Sequence, residues 1–149
     1  MSVTPADSDA WNVAHGKDPE KPSILRYRPN LSGTVGDPSY SKRLTIIWPY
    51  GGDNDSGMPN EEQSAALKKF EDTMIEALDA TGLAILTFVF TSAGQREWHF
   101  YISDVDEVGH AVNEALVGQP VLPIELGVEE DPGWSVFRQV LRGCGHGES

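Results

Sequence analysis

In the stretch R-E-W-H-F-Y-I-S-D (96–104), large apolar residues fall on alternate places: Trp98, Phe100 and Ile102. Glu97, His99 and Tyr101 occupy the places between. A period of two marks a strand with two unlike faces. Trp98, Phe100 and Ile102 are then expected to face a core, each contributing about 1.5–3 kcal/mol on burial. Just upstream, G-L-A-I-L-T-F-V-F-T is apolar at nearly every place, with S-A-G-Q as a turn between the two strands. A strand without alternation is expected to be covered on both faces. A cover over the second face is therefore expected, from the N-terminal strands, from a C-terminal helix carrying Trp134, or from another copy of the chain.

The pattern predicts the other elements as well. Trp11–His15 reads as a short strand closed by the turn-like G-K-D-P-E-K-P, and Ser23–Arg28 as a second strand ended by Pro29. A Gly, Ser and Pro-rich loop follows over 30–41, and then K-R-L-T-I-I-W is a strand of β-branched and aromatic residues. Asn60 is a helix N-cap with Gln63 as its capping-box partner, and Gly82 closes that helix near Ala80. Leu67, Phe70, Met74, Ile75 and Leu78 share its apolar face at helical spacing. A second helix, capped by Ser103 or Asp104, carries Val105, Val108, Val112, Ala115 and Leu116 on one face and ends before Pro120. V-L-P-I-E-L reads as an edge strand because it contains Pro123, and a last short helix carries Trp134, Phe137 and Leu141.

From Lys42 onward the order is β-α-β-β-α-β. The predicted fold class is α+β: a ferredoxin-like sandwich with extra N-terminal strands and a short C-terminal helix. Residues 1–10 are expected to be a loose N-terminus, 11–142 a single domain and 143–149 a flexible tail.

Composition narrows the function. The chain has 149 residues and a net charge of −12. The charge is uneven, with +1 over residues 1–50 and −13 over 51–149. Nucleic-acid binding needs cations that displace counterions, so no nucleic-acid partner is expected. A basic protein partner suits this surface, and plain solubility is the simpler use of it. No apolar run reaches the roughly 18 residues of a membrane span, and the opening residues lack the basic and apolar blocks of a signal peptide. The lone Cys144 excludes an internal disulfide. A cytoplasmic protein with no membrane partner is expected.

Candidate chemistry is sparse. D-N-D-S-G (53–57) fails as a calcium loop, because its glycine is one place early and the twelfth position is Ser64. His15, His99, His110 and His146 show no metal-ligand spacing, and Cys144 with His146 is only two ligands. No nucleophile elbow, phosphate loop or dinucleotide fingerprint occurs. No catalytic residue, metal or cofactor is assigned. Glu71 stands out because it falls within the apolar face of the first helix, where a carboxylate needs donors such as Arg26, Arg28, Arg96, Tyr or Trp, or else a raised pKa. Arg26 and Arg28, two apart, share a strand face and can grip a carboxylate or phosphate, or neutralise Glu71 or Asp131. His99 and Tyr101 are expected to be partly buried, either as satisfied structural groups or as the lining of a small pocket.

Several motifs in fixed order resemble the domain of unknown function 695 family: W-N-V-A, R-Y-R, I-I-W-P-Y, G-M-P-N-E-E-Q before K-K-F-E-D, T-S-A-G-Q-R-E-W-H-F-Y, and D-P-G-W. Gly57, Pro59, Glu62, Glu71, Asp72, Gly94, Tyr101, Asp131, Pro132 and Trp134 fit the family pattern. The resemblance implies a definite role for Glu71 and for Asp131 to Trp134, and supplies no activity. In arrangement rather than motif, the acidic layout and the D-P-G-W ending are also similar to the regulator B of ribonuclease E family of small acidic protein inhibitors. The leading expectation is a non-enzymatic interaction or regulatory module, with a basic protein or a second copy of the chain as partner. The alternative is an enzyme or small-ligand binder with a pocket around Glu71, His99, Tyr101 and Arg28. Binding candidates are thus Arg26, Arg28, Glu71, His99, Tyr101, Asp131 and Trp134.

Overall fold

The computed structural model describes residues 11–16, 22–29, 31, 34–51, 57–119 and 122–144. The expected loose N-terminus, tail residues 145–149 with His146, most of the turn after β1, the near-calcium loop at 52–56 and Pro120 lie outside the described residues. The strands are β1 (Asn12–His15), β2 (Ser23–Tyr27), β3 (Lys42–Pro49), β4 (Ala84–Ser92), β5 (Gln95–Ile102) and β6 (Glu125–Glu130). The helices are α1 (Glu61–Met74), α2 (Val105–Ala115) and α3 (Ser135–Gly143). The fold is α+β. Its single sheet runs β1-β2-β4-β5-β3-β6, and every neighbouring pair is antiparallel.

Local chemistry sets the helix starts. The Asn60 side chain accepts from Gln63 N at 2.8 Å, and Gln63 Oε1 accepts from Asn60 N at 2.9 Å, a complete capping box. Asp104 caps α2 by accepting from Glu107 N at 3.1 Å. Beyond Met74, α1 widens into a π-helical turn over Ile75–Asp79, with Ala80 N donating to Ile75 O at 2.9 Å. That turn keeps Ile75, Leu78 and Asp79 all buried.

The two-residue rhythm of β5 sends its side chains to separate cores. Trp98, Phe100 and Ile102 pack with Leu67, Phe70 and Met74 of α1 and Val108 and Val112 of α2. Tyr101 belongs to a second cluster with Ile85, Phe88, Trp134 and Phe137. This second face is roofed by α3 and by residues of the β2–β3 connection, including Leu31, Val35 and Tyr40. β1 and β2 do not fold over it; they lengthen the sheet beyond β4.

β4 lacks alternation for a further reason. Its pairing with β5 slips between Leu86 and Phe88, so Thr87 is an extra residue in the ladder. Leu86 faces the α1–α2 core, while Phe88 faces the α3 core. Thr87 Oγ1 donates to His99 O at 2.8 Å, and Thr87 O accepts from Arg28 N at 3.1 Å. The extra residue is thus hydrogen-bonded despite complete burial.

Three expectations are corrected. The last strand is not V-L-P-I-E-L but E-L-G-V-E-E, because Pro123 lacks the amide that a ladder needs and pairing with β3 begins only at Glu125. Val105 is exposed, so the buried stripe of α2 is Val108 and Val112. α3 extends through Gly143, one residue into the expected tail.

Candidate functional site

Polar side chains gather in three places. The first lies on the α1–α2 side of the sheet. Arg26 stands opposite Val89 of β4 and reaches Glu71 of α1 with both terminal nitrogens, Nη2 to Oε1 and Nη1 to Oε2 at 3.2 Å. Trp98 Nε1 donates to Glu71 Oε1 at 2.9 Å. The misplaced carboxylate therefore finds both kinds of donor, and its pocket is filled by its own chain. Arg28, fully buried, donates from Nη1 to Asp79 Oδ2 at 3.0 Å and to Leu86 O at 2.9 Å. Asp79 Oδ2 also accepts from Leu86 N at 2.8 Å. Arg26 and Arg28 do grip carboxylates, and both belong to α1 or its π-helical extension rather than to a ligand.

The second place is the start of α3. Tyr101 donates to Asp131 Oδ2 at 2.7 Å, and Phe137 N donates to the Tyr101 hydroxyl at 3.3 Å. Asp131 also accepts from Ser135 N at 2.8 Å, Ser135 Oγ at 2.7 Å and Val136 N at 3.2 Å, so it holds the free amides of the first helical turn. Burial pushes the Asp131 carboxyl up, and the bonds from Ser135, Tyr101 and Val136 outweigh burial, leaving its pKa below the ordinary value. Burial, with the Asp131 bond, pushes the Tyr101 hydroxyl far up, so it stays a donor. Trp134 stacks on Tyr101 with ring centres 4.2 Å apart, and its Nε1 donates to Tyr40 O at 2.8 Å. Its φ of 56° is left-handed, a conformation that disfavours a bulky side chain by about 1–2 kcal/mol, and stacking offsets this. D-P-G-W is a device for starting α3 and pinning it to the sheet.

The third place is a polar row crossing β5, β3 and β6 on the α3 side. Gln95 Nε2 donates to Glu97 Oε2 at 3.0 Å, and Glu97 Oε1 lies 3.0 Å from His99 Nε2. His99 Nδ1 lies 3.1 Å from Arg43 Nη1, and Arg43 Nη2 donates to Glu129 Oε2 at 3.1 Å. Burial lowers the His99 pKa and Arg43 adds to this, against the pull of Glu97. A neutral ring that donates from Nε2 to Glu97 and accepts at Nδ1 from Arg43 satisfies both ring nitrogens, while Arg43 Nε is buried without a hydrogen-bond partner among the described residues. His99 also stacks on Phe88 at 4.1 Å.

Thr45 Oγ1 sits 3.4 Å from His99 Nδ1, which brings a hydroxyl, an imidazole and a carboxylate into line. Arg43 Nη1 donates to that same hydroxyl at 2.7 Å and occupies the ring lone pair that a general base would use. The line is therefore a hydrogen-bonded strut rather than an activated nucleophile. Beside it, Thr45, Ile47 and the backbone and side chains of Glu125–Glu129 line an open groove of about 360 Å³.

The four residues expected to share a pocket do not. Arg28 and Glu71 lie on the α1–α2 side, and His99 and Tyr101 on the α3 side, because β5 alternates and the sheet stands between them. Asp131 pairs with Tyr101 rather than with either arginine. Asp79, Arg43, Thr45 and Gly127 were not singled out in the sequence. Asp79 falls beside rather than on the apolar face at regular helical spacing, and the π-helical turn over Ile75–Asp79 is what buries it. Arg43 and Thr45 had no readable signal, because only the cross-strand register puts them beside Tyr101 and His99. Among the described residues no three His, Cys, Asp or Glu side chains converge as a metal site, and no helix is long and apolar enough to cross a membrane.

Two of the motifs noted in the sequence meet in space. Gly57 O accepts from Gly94 N at 2.9 Å, joining G-M-P-N to the S-A-G-Q turn. A family model described as a Family of unknown function (DUF695) matches residues 9–142. The chain belongs to that family. A comparison with curated proteins finds no match. Glu71, Tyr101 and Asp131 to Trp134 sit at the joints that tie helices to the sheet.

Proposed function

We propose that the protein is a non-enzymatic interaction or regulatory module of the cytoplasm, whose partner is a basic protein. The observation that carries this reading is the contrast between its polar groups. The side chains best suited to chemistry are spent on one another inside the fold: Glu71 with Arg26 and Trp98, Arg28 with Asp79, Tyr101 with Asp131. The terminal strand β6, by contrast, is exposed at all six positions and carries Glu125, Glu129 and Glu130. Exposed acidic surface supplies steering and specificity toward a cationic partner.

The test is affinity capture from lysate with the tagged chain as bait, at low and at high salt, with recovered proteins identified by mass spectrometry. A basic protein held at low salt and released at high salt is the expected result. Recovery of no protein at either salt overturns the reading.

A further inference from the structure

We propose that β6 is a docking edge for an extended segment of a protein partner in which basic and apolar side chains alternate, added to the sheet as a further strand. This rests on the reading of the protein as an interaction module and names the chemistry of its partner.

β6 ends the sheet, and among the described residues it pairs only with β3. Asp131 N donates to Ser41 O at 2.9 Å, which fixes the phase of the ladder. By antiparallel alternation, the backbone groups of Leu126, Val128 and Glu130 point to the outer edge. An added strand would meet those groups, as in other cases of strand addition.

The two faces of β6 set the side-chain pattern of the incoming segment. Glu125, Gly127 and Glu129 share the α3 side, opposite Ile47, Thr45 and Arg43. Leu126 and Val128 share the other side, where they remain 51% and 41% exposed. A cross-strand neighbour therefore meets acid, bare backbone and acid on one face, and two aliphatic side chains on the other. Lys or Arg at alternate places, with Val, Ile or Leu between, matches both faces at once.

Gly127 shapes the centre. It stands opposite Thr45 in the groove, and a Cβ built there would meet nothing within 4 Å. The groove is open because this position lacks a side chain, and a long basic side chain can lie in it between Glu125 and Glu129.

The same charges argue against a second copy of the chain. Antiparallel self-pairing about Gly127 sets Glu125 of each copy opposite Glu129 of the other, and pairing about Leu126 or Val128 still crowds the glutamates of both copies along one seam. Like charges directly opposite are destabilising.

The probe is a fluorescently labelled peptide of alternating arginine and valine. A second peptide of the same composition has its arginines and valines in two blocks. Binding is read by fluorescence anisotropy on the full chain and on Gly127→Val and Glu125→Lys, each checked for folding by thermal denaturation. The alternating peptide is expected to bind about tenfold more tightly than the block peptide, since only alternation satisfies both faces. Gly127→Val is expected to keep the melting temperature and weaken binding about tenfold by filling the groove. Glu125→Lys tests the same edge independently of Gly127.

Equal binding of the two peptides means charge attraction alone and overturns the proposal. So does unchanged binding by both folded variants, or a homodimer in light scattering that Gly127→Val abolishes. A lysate partner held equally by wild type and Gly127→Val overturns this edge while leaving the module reading intact. No lysate partner for either protein sinks both.

Discussion

Asp131→Asn tests whether the start of α3 holds the roof on the second core. Both carboxylate oxygens are occupied by donors: Ser135 N and Oγ on one, Tyr101 Oη and Val136 N on the other. An asparagine offers one oxygen and turns an NH2 group toward two donors. Losing a capping carboxylate costs about 1 kcal/mol. Losing a hydrogen bond to a charged group at a buried hydroxyl costs about 1.5–3 kcal/mol. The variant should therefore lose about 3 kcal/mol, or roughly 6–12 °C in melting temperature for a chain of this size. Urea denaturation followed by tryptophan fluorescence measures it, because Trp134 is stacked on Tyr101. In a double-mutant cycle with Tyr101→Phe, a coupling of about 1 kcal/mol or more is expected for residues in direct contact. The pH dependence has a definite sign. The folded Asp131 pKa lies below its ordinary value of 3.8, so the unfolded chain takes up this proton first as pH falls. The stability it provides is complete above that ordinary value and is lost as pH falls through the folded one. The gap between wild type and Asp131→Asn should stay constant from neutral pH to about pH 4 and close only below it. A loss under about 0.5 kcal/mol, or a gap that closes between pH 7 and pH 5, would refute the reasoning.

Three further outcomes are expected. Gly57→Ala should destabilise by about 1–3 kcal/mol in thermal unfolding, because its φ is 73° and a Cβ would lie 3.0 Å from Ala93 Cα; an unchanged melting temperature would show that the loop yields freely. Glu71→Ala should cost about 2–4 kcal/mol and Glu71→Gln distinctly less, since glutamine can still accept from Trp98 Nε1; equal losses would mean that the Arg26 charge dominates. In NMR titration His99 should lose its proton below the ordinary histidine value of 6.5, so its contribution to stability falls as pH drops through that lowered value; titration at or above 6.5 would contradict the neutral ring.

Much of the frame was readable from the chain because it depends on short-range periodicity. Leu67, Phe70, Met74, Ile75 and Leu78 repeat at helical spacing, Trp98 to Ile102 alternate, and Asn60 with Gln63 is a local cap; each settles its element with few distant partners. β6 was misplaced for the opposite reason. E-L-G-V-E-E has little to bury and is a strand only because β3 lends it a ladder. Glu71 could be found as a polar residue on an apolar stripe, and its donors could be guessed by type. The row from Glu97 to Glu129 could not, since it requires β3 to lie between β5 and β6 in one particular register.

The slip at Thr87 has a consequence for how this chain can change length. Upstream of it, even-numbered side chains of β4 enter the α1–α2 core; downstream, odd-numbered ones do, as Leu86 and Val89 show. Deleting that one threonine would close the ladder into plain alternation, with Phe88 following Leu86 but still in the α3 core and Val89 still in the α1–α2 core. A single-codon loss there would therefore cost the hydrogen bonds of Thr87 but keep both cores in register, whereas losing one regularly paired residue on either side of it would swap the adjoining side chains between the two cores.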